Sequence, residues 1–399
     1  MLVKADVCVV GGGPAGLVLA LLLGRRGIDT VVLEKHETFL RDFRGDTVHP
    51  STLQLMDELG LGEDLERLPH RVVRQIELTY SNSGDDGGTF RPVDFERLRV
   101  AHPYVMMLPQ WDFLELLAEH GDFALYRRCE VVAVNRRERR VTGVTARTPQ
   151  GPVEVAAPLT VACDGRNSTV RRELGLKSKD FGAPIDVLWF RLPRSPSDPE
   201  GLAGRVADGR LFIGIDRGDY WQLGWVVPKG GDRVLRAAGL EAFRAGIAQS
   251  VPYLADRVGE LRDWDQVRTL TVRMDRLYRW QVPGALLIGD AAHAMSPVGG
   301  VGINLAIQDA VAAARVIGDA FERGAPPTER ELAAVQRRRA LPTAGTQLVQ
   351  RGLQRAVLAP AVTGRPSRPP LPVRLLDRYP PLRTIPTRVI GVGLRPEHV

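Results

Sequence analysis

Three short stretches of this chain bring together residues whose types and spacing suit the binding of a dinucleotide. The first is Gly11-Gly12-Gly13-Pro14-Ala15-Gly16, which satisfies G-x-G-x-x-G, with Glu34 eighteen residues further on. Gly11 permits a tight strand-to-helix turn, Gly13 lets the backbone approach a pyrophosphate, and Gly16 allows helix and strand to pack closely. Pro14 and Ala15 open the helix, whose free N–H groups and positive dipole end attract phosphate. A carboxylate at Glu34 accepts hydrogen bonds from ribose hydroxyls and repels a 2′-phosphate, which selects an unphosphorylated adenosine, as in FAD or NAD.

The second stretch is Asp164-Gly165 in CDGRNSTVR, and the third is Gly289-Asp290 in GDAAHAMSPVGGVGIN. Asp290 is suited to accept a hydrogen bond from a ribityl hydroxyl. Pro297, Gly299, Gly300 and Gly302 make a loop with little side-chain bulk, which can lie against a planar ring. A helix starting near Ile303 and Asn304 then points its N-terminus at that ring and stabilises negative charge there. His293 reads as a structural hydrogen-bonder in the strand-to-helix turn.

The elements that must position these residues follow from the apolar pattern. Val7–Val10, Thr30–Leu33, Leu159–Cys163 and Ala285–Ile288 are short apolar runs of the kind found in buried parallel strands, at whose carboxyl ends ligands gather. Helices are expected up to Leu23, over Leu53–Leu59 with Ser51 or Thr52 as N-cap, from Gln110 to about Glu119, from Ile303 to about Phe321, and over Leu332–Gln354. Residues 71–108 read as irregular strands with a hairpin tip at Gly84–Gly88. Between Ile185 and Arg276, strands alternate with Pro/Gly turns and aromatic residues cluster. Here an inserted, mostly antiparallel sheet is expected, with Trp189 and Trp221 as candidate substrate contacts and ordinary core membership as the competing reading. From Ala359 the chain turns Pro/Arg-rich and reads as an irregular surface tail.

Composition narrows the class. The chain has 399 residues, 44% hydrophobic and 25% charged, as in ordinary globular proteins. Its net charge of +7 is mostly arginine, but no aromatic residues interleave the basic runs, so nucleic-acid binding is not expected. No long apolar span or signal-type start is present, which points to a cytoplasmic protein for which membrane contact is not expected. The tail is the one place where membrane-surface or partner docking stays open. Cys8, Cys129 and Cys163 suggest neither disulfides nor a metal site.

The three motifs, in this order and spacing, resemble the single-component FAD-dependent aromatic hydroxylases, the class A flavin monooxygenases similar to para-hydroxybenzoate hydroxylase. The resemblance covers residues 1 to about 350. It implies an α/β chain: a Rossmann-like FAD-binding domain with an inserted, mostly antiparallel β-sheet substrate domain and C-terminal helices. The FAD-binding parts would be 1–75, 109–180 and 277–358, the substrate-domain strands 76–108 and 181–276, and the tail 359–399. Gly11, Gly13, Pro14, Ala15 and Gly16 match the pyrophosphate loop, and Glu34, with Lys35 beside it, the ribose site. Arg44 and Gln110 match flavin-cofactor contacts, Asp164 and Gly165 the DG motif, and Asp290 the ribityl-binding acid. Pro297, Gly300, Gly302, Ile303 and Asn304 match the loop at the isoalloxazine, with Pro297 near the reacting face.

The resemblance further implies that NADPH or NADH acts as a transient co-substrate. Reduced flavin takes up O2 to give a C4a-hydroperoxide, which hydroxylates an aromatic or polyketide-like small molecule. His49 is a candidate pocket residue assisting phenol deprotonation, and the protein is expected to be a monomer or homodimer. Val301 departs from the pattern, standing where many relatives carry glutamine, whereas Trp221–Trp225 does not fit the W-x-W-x-I-P of flavin halogenases, which counts against that alternative. The competing readings are a halogenase or isoprenoid reductase on the same scaffold, or a redox-inactive FAD-binding scaffold.

Overall fold

The computed structural model describes residues 1–40, 47–82, 85–199, 201–363 and 368–399. Arg44 lies outside the described residues. The expected parallel strands form around one six-stranded sheet, in the spatial order Gln281–Val282, Ala285–Leu287, Leu159–Ala162, Val7–Val10, Thr30–Leu33, Ala124–Tyr126. All neighbours run parallel except the Gln281–Val282 edge strand. Val7–Val10, Thr30–Leu33 and Leu159–Ala162 are buried throughout, as their unbroken apolar character requires of strands covered on both faces.

The Pro14–Gly24 helix is apolar all round and buried from Ala15 to Gly24. Such a helix has to lie inside the molecule, and this one is covered by the helices Gln110–Glu119 and Val301–Glu322. Val301–Glu322 is long and apolar enough to cross a bilayer, yet is mostly buried in this core.

A second, seven-stranded sheet is ordered Arg268–Leu270, Ile185–Pro193, Tyr220–Pro228, Arg210–Asp216, Leu202–Ala207, Gln75–Asn82, Asp85–Asp94. It is antiparallel except where Leu202–Ala207 runs parallel to Gln75–Asn82. One face carries Phe190, Trp221, Leu223 and Trp225 and is covered by Phe243 and Ile247 of a helix, Leu240–Ser250. The opposite face carries Val187, Trp189 and Val226 and meets Ala361 and Val362. The helices Asp232–Ala238 and Leu240–Ser250 fall in a region read from sequence as strands and turns.

Two further expectations are corrected. The helix expected to be capped by Ser51 or Thr52 is Pro50–Glu58, with His49 as N-cap. Proline is preorganised for the first helical position, and this frees both hydroxyls for another use. The tail is not irregular. After Glu329–Leu353, the chain continues through a wide helical turn, Gln354–Leu358, and forms the helices Leu371–Arg378 and Thr384–Gly391.

Candidate active site

Because the strands ending at Val10, Ala162 and Leu287 are neighbours, the three motifs emerge side by side at one carboxyl edge. The strand pairing carries on into the turns: Cys163 N donates to Val10 O at 2.7 Å, and Ile288 N to Ala162 O at 3.1 Å. Two of the glycines are obligatory for space. Gly11 has φ +105° and a Cβ there would lie 2.5 Å from the Cys163 carbonyl oxygen, while one at Gly16 would lie 2.0 Å from Gly11 O. Gly13 is different, since a Cβ there would meet nothing within 4 Å. It is the N-cap of the Pro14–Gly24 helix, and no side chain caps that end. Open space over uncapped helical N–H groups is the cradle a pyrophosphate needs.

Glu34 is buried, and its carboxylate accepts from Gly12 N at 2.9 Å and from His36 N at 3.0 Å, which holds it beside the glycine turn. Lys35 is exposed and, with His36, Arg128 and Arg147, lines an open cleft of about 440 Å³ just beyond. Gln110 opens its helix directly after Pro109. Asp164 Oδ2 accepts from Val170 N at 3.2 Å, whereas Oδ1 is buried without a partner among the described residues. Burial pushes this carboxyl above its usual range, against hydrogen bonds from Ser168 and Val170. The next residue, Gly165, turns the chain with φ +79°. A buried, unpaired acceptor at the strand end fits a hydroxyl-bearing cofactor.

Asp290 keeps a partly open carboxylate, held by Arg166 Nη2 at 3.2 Å. Behind it, Asp309 is buried and accepts from Gly289 N at 3.2 Å, from His293 Nε2 at 2.5 Å and from Arg339 Nε at 3.0 Å. Burial alone would raise the Asp309 pKa, but His293 and Arg339 together hold it below the ordinary value. His293 is thus used as a structural hydrogen-bonder. Arg339 also reaches Glu397, near the chain's end, which is fully buried and paired with Arg338 at 2.6 Å. Sequence reasoning missed Asp309, Arg339 and Glu397, because only the fold brings them together.

The loop after Pro297 has two successive left-handed glycines, Gly299 (φ +79°) and Gly300 (φ +65°). A Cβ on Gly300 would sit 2.4 Å from Thr47 Oγ1, and that hydroxyl donates to Gly300 O at 3.1 Å. Gly302 sits in the first turn of the Val301–Glu322 helix, which starts two residues before the expected Ile303, again with no side-chain cap. Asn304 Oδ1 accepts from Ser51 Oγ at 2.9 Å and Thr52 Oγ1 at 2.7 Å. Its side chain is therefore committed to the Pro50–Glu58 helix, leaving the backbone at Ile303 and Asn304 to serve the helix N-terminus. Ile390, from the supposed tail, lies beside Gly299, within 3.7 Å of where its Cβ would be. No signal in the sequence pointed to that contact.

His49 is buried under this loop, and desolvation pushes its pKa down to about 4. Backbone groups of Gly300 and Ile390 oppose that shift, but neither ring nitrogen has a well-aligned hydrogen bond among the described residues. At neutral pH the ring is uncharged. The two tryptophan candidates separate by strand register. Trp221 is wholly buried, donates Nε1–H to Asp198 Oδ2 at 2.8 Å, and packs under the Leu240–Ser250 helix. It is core, not a substrate contact: residues 221, 223 and 225 share the covered face. Trp189 lies on the other face, paired with Gly224, where a Cβ would come within 3.0 Å of the indole.

Comparison with known proteins agrees with this geometry. Residues 4–349 match the family described as FAD binding domain. The chain is 34% identical over 392 residues to 6-methylpretetramide 4-monooxygenase of Streptomyces rimosus, covering 96% of this chain and 91% of that protein. It is 30% identical to 12-dehydrotetracycline 5-monooxygenase/anhydrotetracycline 6-monooxygenase of Streptomyces rimosus subsp. rimosus, over 84% of this chain and 67% of that one. Among solved structures, OxyS anhydrotetracycline hydroxylase from Streptomyces rimosus superposes with a TM-score of 0.74 at 25% identity, covering 97% of this chain and 76% of that chain. The chain belongs to the FAD-binding flavoproteins and is an FAD-dependent monooxygenase of the class A aromatic-hydroxylase type.

Proposed function

We propose that this enzyme is a single-component monooxygenase that uses NAD(P)H and O2 to hydroxylate a polycyclic, polyketide-like aromatic substrate. The observation that carries this is the paired-glycine loop at Gly299–Gly300, set at a helix N-terminus within the same carboxyl edge as the dinucleotide cradle. The names of the relatives, which act on tetracycline-type compounds, supply the substrate class.

When bound, FAD supplies the redox and oxygen chemistry. Gly11 to Gly16 would hold its pyrophosphate, Glu34 the adenosine ribose, and Asp164 and Asp290 the hydroxylated linker. The helix start at Val301–Asn304 presents N–H groups that would stabilise negative charge on the ring of a bound FAD. Thr47 pins the loop by its carbonyl, and Ile390 covers it, which keeps water away from the reacting face. His49 would serve there as an uncharged wall residue and hydrogen-bond acceptor, because a pKa pushed down to about 4 leaves its ring too weak a base to take a phenol's proton. On this reading residues 1–75, 109–180 and 277–358 form the FAD-binding part, and Trp189 is on the sheet face turned to the substrate. The enzyme works as a monomer or homodimer.

The test is the anaerobic rate of flavin reduction by NADPH and by NADH, with and without anhydrotetracycline or simpler phenols. Acceleration by a polycyclic phenol supports the proposal. Absence of reduction by either nicotinamide overturns it in favour of an enzyme fed by a separate reductase.

A further inference from the structure

The charge of this chain is unevenly distributed. Residues 337–396 contain twelve arginines and a single acid, Asp377, leaving 42 basic and 46 acidic residues for the rest of the chain. The whole excess of positive charge therefore lies in residues 337–396. Among the described residues, Arg339 is the one of these arginines spent on wholly buried ion pairs, with Asp309 and Glu397. Arg337, Arg355, Arg374, Arg378, Arg388 and Arg395 are all exposed.

The same elements expose large apolar side chains. Leu341 and Leu348 on the Glu329–Leu353 helix are 71% and 67% exposed, and Leu371 and Ile385 on the two C-terminal helices are 64% and 66% exposed. Leu375 and Leu382 add to them. The elements are joined by contact. Leu394 packs on Gly345, between Leu341 and Leu348, within 2.3 Å of where a Cβ would be. Arg383 ties the C-terminal helices together through Leu376 O and Asp377 O, both at 2.9 Å. On Leu371–Arg378, the exposed residues Leu371, Arg374, Leu375 and Arg378 recur at the three- and four-residue spacing of one helix face.

We infer that this arginine-rich, leucine-studded C-terminal surface docks the enzyme on an anionic lipid bilayer. The exposed leucines suit entry into the acyl boundary, and the arginines between them would meet lipid phosphates. A second copy of the chain would bring arginine against arginine, with Asp377 as the one acid that residues 337–396 contribute, which argues against self-association through these elements. Docking would place the enzyme where an apolar polycyclic substrate partitions. The inference does not depend on the proposed reaction.

The test is co-sedimentation of the full-length, FAD-loaded protein with vesicles of pure phosphatidylcholine or of phosphatidylcholine with 30% phosphatidylglycerol, at low and high salt. Binding to the anionic vesicles, lost at high salt and at least tenfold weaker to pure phosphatidylcholine, supports the inference. The L371D/I385D double variant should bind at least tenfold less tightly, with unchanged FAD content and NADPH oxidation; L341D/L348D is an independent second pair. Ile385→Trp should show a blue-shifted emission on the anionic vesicles. Binding by both Asp variants as tight as wild type, with no shift at Trp, would overturn bilayer insertion and leave only a polyanion-binding surface. No vesicle binding at all, with binding to polyglutamate retained, would overturn the bilayer in favour of an acidic protein partner.

Discussion

His49 is expected to make this protein acid-labile by an amount that follows from its burial. The ring is wholly buried, and its pKa is pushed from 6.5 down to about 4 in the folded state. In the unfolded chain it titrates near its ordinary value, so between these two pKa values the unfolded state binds the extra proton. Stability is therefore unaffected above about pH 7 and is lost as pH falls from roughly 6.5 towards 4. A displacement of about 2.5 units gives a loss of about 2 kcal/mol at pH 5 and about 3 kcal/mol at pH 4. Comparable losses from carboxylates are removed by subtraction: urea unfolding of wild type and His49→Gln, both at saturating FAD, is followed from pH 7.5 to 4.5. The stability difference between them should shift in favour of the variant by about 2 kcal/mol on going from pH 7 to pH 5. A difference independent of pH would refute the reasoning, because it would show that the imidazole is solvated or protonated in the folded protein.

Other expectations concern the cradle, the buried ion network and the sheet. Gly13→Ala should fold with a melting temperature near wild type in the absence of FAD, since a Cβ there meets open space, but should lose flavin on gel filtration; retained absorbance near 450 nm would count against the cradle. Arg339→Met strands the buried carboxylates of Asp309 and Glu397 and should cost about 3–5 kcal/mol in urea unfolding; a change under 1 kcal/mol would mean that water replaces the guanidinium. Trp221→Phe should lower stability by about 1–2 kcal/mol, from lost contact area and one lost hydrogen bond to Asp198, which keeps Arg257 and Ser195 as partners, without altering substrate affinity. Trp189→Phe should lower stability too, since its indole is buried against Gly224, but should also lower substrate affinity, and identical behaviour of the two in a flavin-perturbation titration would contradict the face assignment.

The strand ends were legible in the sequence because two constraints coincide there: four-residue apolar runs needing burial on both faces, and glycines needing φ values or clearances that no other residue tolerates. Gly11, Gly16 and Gly300 are such positions. The C-terminal helices were hidden because proline-rich composition suggests irregular chain, whereas Pro372 lies at a helix start, where proline is welcome. Pro342 sits buried within a 25-residue helix whose other contacts outweigh its missing N–H. The helix Leu240–Ser250 left a trace, Leu240, Phe243 and Ile247 at helical spacing, that the surrounding Gly and Pro obscured. Trp189 and Trp221 could not be told apart without register, since composition does not say which face of a sheet each residue enters. The Asp309–Arg339–Glu397 network joins residues up to 88 apart, and no local pattern announces it.

Insertion of one atom of O2 into a polycyclic phenol can be followed by turnover of anhydrotetracycline with NADPH under 18O2, with mass spectrometry of the product. A hydroxylated product carrying a single labelled oxygen, formed at the expense of hydrogen peroxide, is expected. Consumption of NADPH with all of the O2 recovered as peroxide, or a product whose new oxygen comes from water, would contradict it.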